Sequence, residues 1–152
     1  MTGGRAPGRL RRAVGRLLGR TPAAPPTAAS NSLVIEYNPV LDGDADPGEV
    51  VWTWVPYEDD PSQGKDRPVV VIGRRGPRLV AVPLTSKPHH NEAQVPVGAG
   101  RWDREGRPSF AKVERLLDVA PGEVRREGAI LDRVHFDAVV AGARRAHGGA
   151  LR

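Results

Sequence analysis

The chain contains no cysteine in its 152 residues. A disulfide framework and a thiolate metal site are therefore excluded. The absence fits a reducing compartment, so the expected location is the cytoplasm. Aromatic residues are also scarce, with three Trp, two Tyr and two Phe. A core must therefore come mainly from aliphatic side chains. No apolar run approaches the roughly 20 residues of a membrane-spanning helix, and no membrane span is expected. Four histidines are present, but His89 and His90 are adjacent and have no third, suitably spaced ligand. That pattern suits a metal ion poorly, so neither a metal nor a cofactor is expected.

Charge of one sign is missing segment by segment. Residues 1–20 carry six arginines and no acid, whereas residues 31–62 carry eight acids and no Lys or Arg. Residues 63–152 carry 17 basic and ten acidic side chains. The net charge of +5 thus conceals a strong polarity along the chain. A basic second half suits phosphate-bearing partners.

The length accommodates one domain plus an extension. Thr21–Ser32, TPAAPPTAASNS, is uncharged and rich in Ala, Pro and small polar residues, the composition of a solvated spacer. Ahead of it, Leu10, Val14, Leu17 and Leu18 stand at helical spacing among arginines. Gly15 and Gly19 each weaken such a helix by about 1 kcal/mol. Asp42–Gly48, DGDADPG, lacks the twelfth-position glutamate of a calcium loop and reads as a turn. The expected division is a disordered basic tail and Ala/Pro linker over 1–46, then a folded domain over 47–152.

The folded part reads as short strands separated by turns. Glu49–Val55 alternates, with Val50, Trp52 and Trp54 on one face and Val51, Thr53 and Val55 on the other. Both faces are largely apolar, so burial on both sides is expected and the tryptophans read as core. Pro56–Asp66 is a polar loop. Arg67-Pro68 opens a second strand through Ile72, with proline at its first residue. Arg78–Pro83 is a third strand, ending in Leu84-Thr85-Ser86-Lys87. Ala93–Val97 is a fourth. Phe110–Val119 is a fifth that loses alternation near Arg115, as a bent or bulged strand does. Gly128–Leu131 adds a short pairing. Asp132 then N-caps a helix whose apolar face is Phe136, Val139, Val140 and Ala143.

Four segments in this order, GEVVWTWVPY, KDRPVVVIG, VPLTSK and SFAKVERLLDV, followed by a terminal helix, resemble the MazF/PemK toxins of type II toxin–antitoxin systems, in an actinobacterial-like form. The resemblance covers about residues 47–146. It implies a mainly β fold with a C-terminal α-helix, an SH3-like small β-barrel of the MazF/PemK/CcdB-like kind. It implies a homodimer neutralised by a cognate antitoxin, with which such toxins bind DNA. It also implies a sequence-specific endoribonuclease of single-stranded RNA, with catalytic Arg67 and Thr85. Glu114-Arg115 stands where many members carry Asp-Gln, a difference that bears on substrate choice.

The chemistry can be stated independently of the family. RNA supplies its own nucleophile, the 2′-hydroxyl beside the scissile phosphate. An enzyme must align that oxygen, stabilise charge on the phosphoryl oxygens and move two protons. Arginine offers a fixed fork of donors to phosphate, and Thr85, with Ser86 beside it, offers hydroxyl donors. Products would be a 2′,3′-cyclic phosphate and a 5′-hydroxyl, without a metal. Arginine is a poor base, so Glu58, Asp59 and His89 are the alternatives for proton transfer. Lys65, Lys87, Arg101, Trp102, Arg104 and Lys112 are the candidate RNA-binding residues. Trp102 either stacks a base amid cations or anchors its loop on the core. Two other classes stay open: a catalytically silent RNA- or protein-binding barrel, and a gyrase-directed toxin of the same fold.

Overall fold

A computed structural model describes residues 32–40, 42–90 and 93–151. The basic segment and the linker up to residue 31 lie outside the described residues. In chain order the strands are β1 (Leu33–Ile35), β2 (Glu49–Pro56), β3 (Gly64–Arg75), β4 (Arg78–Thr85), β5 (Gln94–Gly98), β6 (Ser109–Lys112), β7 (Leu117–Val119) and β8 (Val124–Ile130). A helix, α1 (Arg133–His147), follows. The sheet runs β5-β6-β4-β3-β2-β8, with β1 joining β3 and β7 joining β4. Every ladder is antiparallel.

The apolar runs follow from burial on both faces. Val70 and Ile72 of β3 join Val80, Val82 and Leu84 of β4 in one cluster. Val69 and Val71 join Leu79, Ala81, Val51 and Val55 in a second. Side chains alternate along a strand, so a strand feeding two cores must be apolar at nearly every position. The polar Thr53 is buried in β2, but its hydroxyl donates to the Glu123 carbonyl at 2.9 Å.

Several boundaries depart from the sequence reading. β1 pairs with β3 through Leu33↔Arg75 and Ile35↔Gly73, so the folded body begins ahead of residue 47. Just after β1, Tyr37 packs edge-on against Phe136 at 4.9 Å, and its hydroxyl donates to the Leu131 carbonyl at 2.8 Å. The expected fifth strand divides in two. β6 pairs with β5 and β4, and β7 with β4 alone. Between them the Arg115 N–H donates to the Lys112 carbonyl, a tight turn at the point where alternation fails.

Asp132 caps α1 as expected, its carboxylate accepting from the His135 N–H at 3.1 Å. Phe136, Val139, Val140 and Ala143 are buried. Gly142 lies so near β5 that an added Cβ would stand 2.7 Å from Val95 Cγ2. The barrel expectation needs one correction. Among the described residues no ladder joins β5 to β8, so the sheet is not closed. The apolar face of α1 shares the core cluster with Val95 and Ala129. A helix thus covers core that a further strand pairing would otherwise cover.

Candidate functional site

Two prolines open the site. The β3–β4 ladder pairs Val71↔Ala81, Val70↔Val82 and Val69↔Pro83, and there it ends. Pro68, the next residue of β3, has no N–H to continue it. Pro68 therefore sits inside β3, paired with Trp52 of β2, rather than at a strand's first residue. Beyond the prolines, β4 turns to β6 through Leu84↔Ala111 and Thr85↔Phe110. Past the end of the β3–β4 ladder, Arg67 stays within β3, paired with Thr53 of β2, while Thr85 is the last residue of β4. Alternation places both side chains on one face.

Arg67 and Thr85 line a cavity of about 580 Å³. Ser86, His89, Lys65, Lys87, Arg101, Trp102, Arg104 and Lys112 line it as well. All of these were singled out from sequence, and the structure brings them together. The acids in the cavity are engaged. Asp66 pairs with Arg125 at 2.9 Å, and Asp103 pairs with Arg107, also at 2.9 Å. Glu105 lies 3.6 Å from Arg107. Burial pushes the Asp103 carboxyl up. The Glu105 N–H and the Arg107 guanidinium together outweigh burial and hold it below the usual carboxylate value. Among the described residues, Lys65, Arg67, Lys87, Arg101 and Arg104 have no ion-pair partner. The cavity therefore presents unneutralised positive charge, which favours a phosphate-bearing ligand.

Local hydrogen bonds set the Thr85 hydroxyl. Its Oγ1 accepts from the Lys87 N–H at 3.1 Å, so the hydroxyl proton remains available to a ligand. The following loop is fastened to β5. Gln94 Oε1 accepts from the His89 N–H at 3.0 Å, and Gln94 Nε2 donates to the Lys87 carbonyl at 3.4 Å.

Glu58 and Asp59 do not join the main cavity. They line a second hollow of about 370 Å³ with Tyr57, Pro83 and Arg115. Arg67 and Lys112 border both spaces. The two carboxylates and Thr85 thus approach Arg67 from different sides. Arg115, one of the two residues that depart from the family pattern, donates to the Pro56 carbonyl and ties the loop to this hollow.

Of the two readings open for Trp102 the structure selects the anchor, and of the two tryptophans expected in the core it exposes Trp54. Trp102 is buried in the core at 4% exposure, its Nε1 donating to Ser109 Oγ at 3.0 Å. It anchors its loop and offers no open face for stacking. Trp54, expected in the core, is 51% exposed. Trp52 is partly buried and lines the cavity, its Nε1 donating to the Trp102 carbonyl at 3.2 Å. Period-2 alternation assigns faces but does not say which face is covered at a strand's end. Sequence reasoning also missed Arg125, which reaches the cavity through the cross-strand pair Trp52↔Arg125. No local signal encodes that pairing.

Residues 46–146 match the family model described as PemK-like, MazF-like toxin of type II toxin–antitoxin system. Among solved structures, the chain is similar to MazF from Deinococcus radiodurans in crystal Form-I, at 18% identity and TM-score 0.57. That likeness covers 70% of this chain and 99% of the other. It is similar also to MazE-MazF from Deinococcus radiodurans in Form-II, at 16% identity and TM-score 0.53, covering 70% and 98%. Both likenesses speak to the fold. No curated protein matches the chain.

Proposed function

The chain belongs to the PemK-like, MazF-like toxin family of type II toxin–antitoxin systems, and from that premise we propose that it is a sequence-specific endoribonuclease of single-stranded RNA. The observation that carries the reading is that Arg67, within β3, and Thr85, the last residue of β4, line one cationic cavity.

The scissile phosphate sits between those two side chains. The 2′-oxygen attacks phosphorus, the bond to the 5′-oxygen breaks, and the products are a 2′,3′-cyclic phosphate and a 5′-hydroxyl. The Arg67 fork donates to the phosphoryl oxygens as charge grows on them. The Thr85 hydroxyl, whose proton is left available by the Lys87 N–H contact, donates a hydrogen bond to a non-bridging oxygen. The nucleophile belongs to the substrate, so the reaction needs no metal to generate one. Lys87, Arg101 and Arg104 hold flanking phosphates. His89 shares the cavity with Thr85, and histidine is the side-chain type suited to moving protons near neutral pH. We assign the proton shuttle to His89 and place Glu58 and Asp59 outside the reacting centre.

The partners proposed for this chain are single-stranded RNA, a second copy of itself and a cognate antitoxin. The Deinococcus radiodurans toxin is found with MazE, which supports the last. No helix among the described residues is long and apolar enough to cross a membrane.

The test is incubation of purified protein with a mixed RNA pool in EDTA, followed by sequencing of the new ends. Cleavage at one short sequence, leaving cyclic-phosphate ends, is expected. An intact pool from a protein that still arrests growth would overturn the enzyme reading in favour of a binding or gyrase-directed toxin. Loss of cleavage in EDTA alone would overturn the metal-free chemistry.

A further inference from the structure

Resting on the nuclease reading above, we propose that Trp54 is a stacking platform for the base of a nucleotide just outside the reacting cavity. Half of this large side chain is solvent-exposed, and among the described residues the other large exposed hydrophobics are the aliphatic Val34, Val40, Ile130 and Val134. Its position is not random on the surface. Trp54 shares a face of β2 with Trp52, two residues away, and Trp52 lines the cavity. Directly across the ladder stands Asp66, and the Trp52 neighbour on β8 is Arg125. Both of those line the cavity too. The indole therefore stands about 6–7 Å from Trp52 along the strand, beside the cavity-lining Asp66 and on the face of the sheet opposite the Thr53↔Arg67 pair.

One edge of the ring approaches β3. An added Cβ on Gly64 would lie 2.8 Å from Trp54 Cζ2. One edge of the indole thus lies close to Gly64 of β3, where an added Cβ would also meet the Val55 carbonyl oxygen of β2. That contact covers part of the ring and leaves the rest to solvent. Every base presents a π-face that can stack on the exposed part. The Arg125 guanidinium, 57% exposed at its side chain, reaches Asp66 across the ladder from Trp54 and borders the platform as one half of an ion pair. An exposed indole beside an ion pair that lines a phosphate-binding cavity suits an unpaired nucleotide. A protein strand would find charged Arg125 and Asp66 where it needed apolar cover.

The experiment uses a labelled single-stranded oligonucleotide carrying the cut sequence, with 2′-deoxyribose at the cut nucleotide. Each flanking position is made abasic in turn, and affinities are measured for wild type, Trp54→Leu and Trp54→Phe. Base-stacking magnitudes correspond to about 5- to 150-fold in affinity. One abasic position should cost wild type a loss in that range and cost Trp54→Leu almost nothing. Trp54→Phe should recover most of the sensitivity. Leucine keeps the apolar cover over Gly64, so a purely structural role would leave the abasic profile unchanged. Equal abasic profiles in wild type and Trp54→Leu would overturn the platform while leaving the nuclease intact. Loss of self-association in Trp54→Leu with an unchanged abasic profile would overturn it in favour of a protein contact. A wild type that neither cuts nor binds RNA overturns the nuclease reading, and the platform with it.

Discussion

In the proposed reaction Arg67 would carry the heaviest chemical load of any residue, and its environment suits that load. It has no ion-pair partner among the described residues, so its full set of donors is available to phosphate. Arg67→Ala and Thr85→Ala are each expected to lower cleavage by about 10²–10³-fold, the scale for removing one donor to a developing oxyanion. Arg67→Lys should recover little, because an ammonium lacks the planar fork. Single-turnover rates on the identified sequence check all three. His89 calls for a different measurement. If it moves a proton, His89→Ala lowers the rate and removes an ionisation from the pH–rate profile. A uniform drop across pH would instead assign it to phosphate binding. Arg67 and Thr85 were singled out mainly through the family resemblance, with phosphate chemistry in support, and the structure brings both to the lining of one cavity. The exposure of Trp54 was not legible, and the sequence left the burial of Trp102 as one of two alternatives. Both depend on what lies across the ladder, and residue type says nothing about that.

Elements were read more securely than their edges. The helix was legible because a cap and an apolar stripe are local signals, and Asp132, Phe136, Val139, Val140 and Ala143 all occupy the places assigned to them. β1 was not legible, since three residues carry no period and its partner Gly73–Arg75 is far along the chain. The division of β6 from β7 was visible only as a loss of alternation. Asp132→Ala is expected to cost about 0.5–2 kcal/mol of stability, the usual range for an N-cap. The His135 side-chain contact, with further help from the His135 N–H, holds the Asp132 carboxyl below its ordinary value of 3.8 against some burial. A carboxyl lowered in the folded state stabilises the fold above its unfolded value. That contribution declines as pH falls through the lower folded value. The gap between wild type and Asp132→Ala in denaturant titrations should therefore close on acidification below about pH 4. Gly142→Ala tests the packing of α1 on β5. Alanine gains about 1 kcal/mol in helix propensity, but its Cβ meets the stiff Val95 side chain. Overpacking costs roughly 1–3 kcal/mol, so net destabilisation is expected, with Val95→Ala as the second-site rescue.

At the scale of the whole molecule, the separation of charge along the sequence becomes a separation in space only in part. The acidic stretch does not simply face away from the basic half. Asp46 pairs with Arg74 at 2.7 Å, and Glu58 and Asp59 border a hollow that also touches Arg67 and Lys112. The cationic cavity is therefore local, assembled from loops and strand ends that are distant in sequence. This gives a measurable signature. Single-stranded nucleic acid binding weakens with salt at a slope near −0.7 per phosphate neutralised. Arg101 and Arg104 lie in the cavity without ion-pair partners, so each should hold one phosphate. Arg101→Ala and Arg104→Ala are each expected to make the slope of log affinity against log salt shallower by about 0.7. Arg107→Ala, in contrast, should change the slope little. Its charge is already answered by Asp103 and Glu105, and removing it frees those acids to repel the same phosphates. Its effect should thus appear as weaker binding at every salt concentration. If all three variants shift the slope equally, positive charge acts as a diffuse field over the surface. If Arg101 and Arg104 alone do so, the cavity holds discrete phosphates, as the positioning of a single scissile bond between Arg67 and Thr85 requires.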